Sequence, residues 1–330
     1  MIAHARILVI KENSQAFDMS TSISRIVWRG RKGAATRTLE LTFIDDDGYK
    51  RDRSGLDVEE GHAVIFYWKE VEMFRGVFKA QTQTQRKSLR ATAYDMGIRL
   101  SNNRDTFCYS NKTASNIFRD VCNRFSIPLG DVASTQHVIP ELPKPRATGW
   151  DVVCDALALT FKATGVRYFP KAIGSKMHLL ERRLNMVVWV IETGVNLTEY
   201  ELTKSTERVR TRIVLLSSEG EVLAQAQNDE LEAKLGTFQE VVRIDDEMNT
   251  GQLEELVNQT LTENNQSTTT LTVSALGQPD VTAGCGVAIS INPLDISKVF
   301  YVESDSHVFE GRQHLMTLTL VPAHDAEIVI

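Results

Sequence analysis

Asp57-Val58-Glu59-Glu60-Gly61-His62-Ala63-Val64 and Asp280-Val281-Thr282-Ala283-Gly284-Cys285-Gly286-Val287 share one pattern, D-V-x-x-G-x-x-V, near opposite ends of a 330-residue chain. Each stretch follows an alternating apolar–polar run and leads into an apolar strand. A turn and an aromatic–Val strand come next (Phe74 to Phe78; Phe300 to Val302), then a long alternating strand. The glycine suits a turn whose backbone other residues resist, and the chain re-enters a sheet at the second Val. V-x-x-G-x-x-V alone is common wherever loops feed strands. The weight therefore rests on the matched order of elements. A duplication predicts two related β domains flanking a helical insert.

The flanking sequence agrees. Ser22 to Trp28 and Thr38 to Phe43 alternate with period two around the turn Gly30-Arg31-Lys32-Gly33. Asp45-Asp46-Asp47-Gly48 is a second turn, and Ala63 to Trp68, Phe74 to Ala80 and Leu89 to Tyr94 complete a first β domain without an amphipathic helix, residues 1–100. Residues 101–200 change character. Thr113 to Phe125 places Ile117, Phe118, Val121, Cys122 and Phe125 on one helical face, capped by Thr113, with Pro128 beyond. Leu142-Pro143-Lys144-Pro145 reads as a stiff connector. A second helix starts near Thr148, aligns Trp150, Val153, Leu157 and Phe161, and ends at Gly165. A hairpin around Gly174 follows. Residues 201–330 then carry a long hairpin (Val209 to Leu216, Val222 to Gln227), helices over Asp229 to Leu235 and Thr250 to Leu261, and four more strands.

Composition excludes several classes. Hydrophobic residues are 42% and charged residues 24% of the chain, enough for real cores in two or three domains. No apolar run approaches a membrane span, and the first residues lack a basic stretch before an apolar core, so no signal peptide or membrane insertion is expected. Cys108, Cys122, Cys154 and Cys285 show no C-x-x-C spacing and are expected to be buried, reduced thiols. The net charge of -6 is uneven. Counting residues gives +4 for 1–100, +3 for 101–200 and -13 for 201–330. That is a solvated acidic surface, or complementary surfaces of neighbouring subunits. It does not suit a nucleic-acid binder.

No strong catalytic motif is present: no phosphate-binding loop, no nucleophile elbow, no zinc helix. Gly30-Arg31-Lys32-Gly33 suits a hairpin better than a phosphate site. Asp45-Asp46-Asp47-Gly48 has consecutive rather than alternating acids, with Leu56 where a calcium loop needs Glu. Asp245-Asp246-Glu247 suits the N-terminus of the helix that follows it. His307 and His314 lie on adjacent strands and could meet, without an evident third metal ligand. Trp28, Trp68, Trp150 and Trp189 form no sugar-stacking row and are read as core. No catalytic, cofactor or metal residues are assigned, and no enzyme is expected.

Three passages carry a family resemblance. They are Lys112 to Pro128; Ser205 to Val214 leading to Lys234-Leu235-Gly236-Thr237-Phe238-Gln239; and Gly277-Gln278-Pro279-Asp280-Val281-Thr282-Ala283-Gly284. In order and spacing the chain resembles the hub proteins of contractile-tail baseplates, including those of defective Bacillus prophage particles, the late-control-gene-D group and the hub part of type VI secretion spike proteins. The resemblance implies two tail-tube-like β-barrel domains flanking a smaller helix-containing region. It implies a homotrimer whose pseudo-six-fold ring joins the hexameric tail tube to a trimeric central spike, beside other baseplate or wedge proteins. DNA would only pass through the lumen, past its acidic surface. Assembly would occur in the host bacterial cytoplasm, with the mature protein in the virion tail baseplate. A tail-associated peptidoglycan hydrolase needs a cleft with a raised-pKa Glu, and a carbohydrate-binding β module needs the missing aromatic row; these are the alternatives.

Overall fold

A computed structural model describes residues 2–11, 15–43, 58–83, 89–244 and 248–322. The chain divides into a unit made of residues 1–200 and 272–330 and a second unit, Glu201–Leu271. Both are built mainly of strands, with helices in the inserts.

The first unit opens with β1 (Ala5–Ile10), β2 (Ala16–Asp18), β3 (Ile23–Arg31), β4 (Thr38–Phe43), β5 (Ala63–Trp68), β6 (Val71–Gln83) and β7 (Leu89–Tyr94). An insert follows: α1 (Ile98–Asn102), β8 (Arg104–Thr113), α2 (Ala114–Arg124), β9 (Leu129–Val132), β10 (Val138–Thr148), α3 (Gly149–Thr164), β11 (Tyr168–Ile173) and β12 (Lys176–Glu181). Then come β13 (Met186–Glu192) and β14 (Leu197–Ser205). The second unit holds β15 (Arg212–Ser217), β16 (Val222–Gln227), α4 (Asp229–Leu235), β17 (Gln239–Ile244) and α5 (Thr250–Asn264). Finally β18 (Thr268–Leu276), β19 (Gly286–Ile291), β20 (Ile296–Glu310) and β21 (Gln313–Pro322) close the first unit.

Strand pairing exposes the duplication. The first repeat runs β3-β4-β7-β6-β5-β1 across the sheet, and the second runs β14-β18-β21-β20-β19-β13. The order is the same, strand for strand; one difference is that β1 meets β5 antiparallel whereas β13 meets β19 parallel. Backbone detail repeats as well. Gly61 N donates to Phe78 O at 2.9 Å, and Gly284 N to Val302 O at 2.9 Å. His62 N reaches Glu59 O, and Cys285 N reaches Thr282 O; Phe78 N returns to His62 O, and Val302 N to Cys285 O. The β6–β7 ladder shifts register between Phe78 and Ala80, and the β20–β21 ladder between Val302 and Ser304. A bulge leaves one residue unpaired and bends its strand, so a bulge at one position in both copies gives both the same curvature.

The two turn glycines are both left-handed, with φ +100 at Gly61 and φ +92 at Gly284. A Cβ at Gly61 would meet nothing within 4 Å, whereas at Gly284 it would lie 2.7 Å from the Phe169 ring. Gly61→Ala is therefore expected to cost about 1–3 kcal/mol of backbone strain. Gly284→Ala adds an overpacking cost of about 1–3 kcal/mol. Urea midpoints of the two variants check this; equal losses would contradict it.

Local signals explain the insert helices. Thr113 caps α2 by accepting from Asn116 N, and Thr148 and Asp151 form a reciprocal capping box at α3. Gly165, at φ +72, ends α3. Both helices bury their apolar faces, among them Phe118, Val121, Val153 and Leu157, in a core shared with Phe107, Met177 and Leu179. One expectation fails here. Leu142 to Pro145 is not a connector but the middle of β10, which among the described residues pairs only with β8. Edge strands tolerate proline because its missing N–H can face away from the ladder. A short helix, α1, also closes the first hundred residues, where none was expected.

In the second unit, β15 lies between antiparallel β16 and parallel β17. Leu253, Val257 and Leu261 of α5 share a core with Ile213 and Leu215 of β15. The chain enters this unit from β14 and leaves it into β18, the position that the short β3–β4 turn occupies in the first repeat.

Candidate functional site

The two repeats meet where β20 pairs with β3, and this seam gathers the buried polar residues Asp95, Thr282, Asp305 and His307. β20 is long enough for two partners on one side: Ile296 to Tyr301 pair with β19, and Ser304 to Glu310 with β3. Along the second segment Asp305 lies opposite Gly30, His307 opposite Trp28 and Phe309 opposite Ile26. Period two puts Asp305, His307 and Phe309 on one face, and all three are buried.

Gly30 makes room for an ion pair. A Cβ there would sit 2.0 Å from the Arg37 guanidinium. In that space Arg37 forms a two-pronged pair with Asp305, Nη1 to Oδ1 at 2.8 Å and Nη2 to Oδ2 at 2.5 Å. The Asp305 carboxylate is fully buried, and Arg37 is 11% exposed. Ala283 N, in the repeated turn, donates to Asp305 Oδ1 at 2.6 Å. Arg37 also stacks on Trp28, 4.0 Å from the ring centroid. Its backbone N donates to Asp95, whose buried carboxyl also accepts from Thr36 and from Gly97 N. Burial raises the Asp95 pKa, opposed by these hydrogen bonds and by the Arg37 charge. From the insert, Lys171 donates to Thr282 at 2.9 Å. Burial holds its pKa below the usual lysine value, with Arg37 adding to the effect.

The histidine pair lies next along the strand. His307 Nε2 is 2.9 Å from Val281 O, so Nε2 carries the proton in the neutral ring. Its Nδ1 is then the acceptor for His314 Nε2–H at 3.0 Å. His314 stacks on Phe309 at 4.0 Å and meets Trp68 edge-on. Burial drives both imidazoles well below their ordinary pKa, and their proximity lowers His314 further. A third ligand does not join them: the described residues contain no metal-holding group of three or more His, Cys, Asp or Glu.

A pH prediction follows from the sign of these shifts. Both rings bind protons more tightly in the unfolded chain, near the ordinary imidazole value of 6.5. Their contribution is complete above that pH and is lost as pH falls toward about 4, where His307 titrates in the folded chain. The urea midpoint should fall between pH 6.5 and pH 4.5, and less steeply in His314→Gln. A flat profile over that range would contradict the neutral pair.

Other candidates resolve simply. Lys32-Gly33 turns the β3–β4 hairpin, with Lys32 facing Glu303 at 3.9 Å. Asp45-Asp46-Asp47-Gly48 and Asp245-Asp246-Glu247 lie outside the described residues. Trp28 and Trp68 belong to the first-repeat core, Trp150 packs against the insert core, and Trp189 on β13 is half-buried. All four cysteines are free thiols; Cys122 and Cys285 are buried, but Cys108, on the exposed face of β8, is not. No helix among the described residues is long and apolar enough to cross a membrane. A groove lined by Arg37, Glu72, Arg75, Asp95, Lys171 and Asp280 runs beside the seam. Its charges are partnered, Arg75 with Glu72 and Asp280 with Gln278 besides those above. The geometry is that of a polar tie between repeats, with its charged groups ion-paired or hydrogen-bonded.

The family model described as YQBQ-like matches residues 26–321, from the first strand of the seam to the end of β21. The chain belongs to the YQBQ-like family. It is 33% identical over 319 residues to the phage-like element PBSX protein XkdQ of Bacillus subtilis strain 168, covering 96% of both chains. Its fold matches the 43 kDa tail protein of prophage MuSo2 from Shewanella oneidensis, with a TM-score of 0.69 at 11% identity over 96% of this chain and 97% of that one. A more distant likeness, TM-score 0.55 at 9% identity, covers 92% of this chain and 74% of the E. coli c3393 protein. That protein is a component of the type VI secretion system with structural similarity to the T4 tail proteins gp27 and gp5. The resemblance read from the three sequence passages is thus borne out, and this YQBQ-like chain is a phage-tail-related structural protein.

Proposed function

We propose that the chain is the hub of a contractile-tail baseplate, in a phage or a phage-tail-like particle. Three copies form a ring in which six similar β repeats meet the hexameric tail tube on one side, while the three-fold arrangement meets the central spike on the other. The observation that carries this reading is the duplication: two repeats with one strand order and one bulge position per chain. A symmetry adaptor needs two equivalent surfaces per subunit, and an enzyme does not. The tube-like parts are the two repeats, β1 and β3 to β7 in the first and β13, β14 and β18 to β21 in the second. The insert between them runs from α1 to β12, so the second tube-like part starts near Met186 rather than at 201, and β15 to α5 form an insertion within it. Partners are the chain itself, the tube protein, the spike and neighbouring baseplate or wedge proteins. DNA only passes the lumen. The protein is assembled in the host cytoplasm and resides in the tail baseplate. The hydrolase alternative is disfavoured because Asp95, the buried carboxyl with a raised pKa, is committed to three hydrogen bonds.

Cross-linking mass spectrometry on purified particles tests the placement. Links from this chain to both the tube protein and the spike protein are expected. Links to sheath or capsid proteins alone would overturn it.

A further inference from the structure

A pocket of about 230 Å³ lies between the insert and the second repeat. Trp150, Cys154 and Leu157 of α3 form one wall, and Phe169 of β11 forms another. The Gly284 turn borders it, close enough that a Cβ there would sit 2.7 Å from the Phe169 ring. The remaining character is cationic. Lys32, Arg167 and Arg182 line the pocket, and among the described residues its lining holds no Asp or Glu. Lys32 faces Glu303 at 3.9 Å, Arg167 lies over the Phe161 ring at 3.5 Å and Arg182 over the Tyr301 ring at 3.7 Å. An apolar wall beside three cations suits a segment whose acidic and apolar side chains are neighbours.

One such segment starts close by. Pro322, the last residue of β21, lies opposite Phe300 of β20. The next residue along β20 is Tyr301, which carries Arg182 on its ring. The one after is Val302, whose carbonyl accepts from Gly284 N at 2.9 Å. Two residues of the pocket therefore contact β20 within two positions of the partner of Pro322. Beyond Pro322 the sequence reads Ala323-His324-Asp325-Ala326-Glu327-Ile328-Val329-Ile330, outside the described residues. From β21 across β20 to the Gly284 turn is about 10 Å, two strand spacings. An extended run of six residues spans about 20 Å, so Ile328 has length to spare.

We propose that residues 323–330 turn back over the end of β20 and dock in this pocket. The Ile328-Val329-Ile330 run covers Trp150, Leu157 and Phe169, and Asp325 and Glu327 lie among the three cations. Held there, the segment ties α3 and β11 of the insert to the turn that opens the second repeat. The docking is within one chain, so it stands or falls independently of the hub reading and of the number of copies.

Cys154 in the pocket wall makes the docking testable in the full chain. In a Cys108→Ser background the other native thiols, Cys122 and Cys285, are buried. Ile328→Cys, Val329→Cys and Ile330→Cys are each introduced there, oxidised mildly and mapped by peptide mass spectrometry. At least one is expected to form an intrachain disulfide with Cys154 in most of the molecules. In the same background, ending the chain at Pro322 should speed maleimide labelling of Cys154 on the order of tenfold, because thiol reactivity follows exposure. Adding back a synthetic peptide of residues 323–330 should slow it again. Unchanged labelling together with no bond to Cys154 in any of the three variants would overturn the docking. Bonds to Cys154 that form only between chains would overturn it as well, by giving the pocket to a neighbouring copy.

Discussion

Asp305→Ala should lower stability by about 3–5 kcal/mol, since breaking a buried pair from one side leaves an uncompensated buried charge. Arg37 would keep its guanidinium, 11% exposed, with its carboxylate partner gone. Ala283 N would lose its acceptor in the turn that starts β19. The Arg37 Nε already has no hydrogen-bond partner among the described residues, so the loss falls on a group with little in reserve. In urea the midpoint should drop by about 1 M or more, followed by the fluorescence of Trp28 and Trp68 in the adjoining core. The double variant Arg37→Ala/Asp305→Ala should cost clearly less than the two single losses added, because the residues share one interaction. Additive losses would mean that the pair is not the tie described.

Phe309→Ala is expected to cost a similar amount, about 3–5 kcal/mol, by cavity formation. Phe309 belongs to β20 of the second repeat, yet it is fully buried in the core of the first. Its ring lies 5.0 Å from Phe66 and 4.7 Å from Trp68, with His314 stacked on it at 4.0 Å. The variant removes the main apolar anchor across the seam. Both aromatic neighbours belong to the first repeat, so its unfolding should shift with that of the second in a single fluorescence transition. A loss under about 1 kcal/mol, of the size seen at surface positions, would show that the repeats do not share that core.

Much of the fold was legible, for physical reasons that apply locally. The helices α2 and α3 announced themselves through Thr113, Thr148 and Gly165, residues whose capping chemistry acts within one turn. The strands of the first repeat alternated because one face is buried. The duplication was legible because a left-handed glycine between two buried valines is demanded twice. Strand β10 was missed because its prolines suit an edge strand and a loop equally. Strand β8 was missed because most of its residues are exposed, leaving Phe107 and Tyr109 as its buried signal.

The seam was the least legible part. Arg37 and Asp305 are 268 residues apart, and no window on the sequence joins them. Two signals pointed there. Gly30 stands in an otherwise bulky strand, and was read only as the start of a turn. Asp305 and His307 share the inward face with Phe309, where alternation alone would place polar groups outward. His307 and His314 were expected to be able to meet, and they do. The contact is a hydrogen-bonded pair packed on aromatic rings.

The central claim is that two matched repeats per chain let three chains present six. Mass measurement in solution, combined with negative-stain imaging of the same sample, tests it most directly. A particle of about 111 kDa is expected, three copies of the 37.0 kDa chain, with class averages showing a closed ring and six-fold-like modulation around it. A species that remains at 37.0 kDa and digests cell wall, or a ring with any other number of copies, would contradict it.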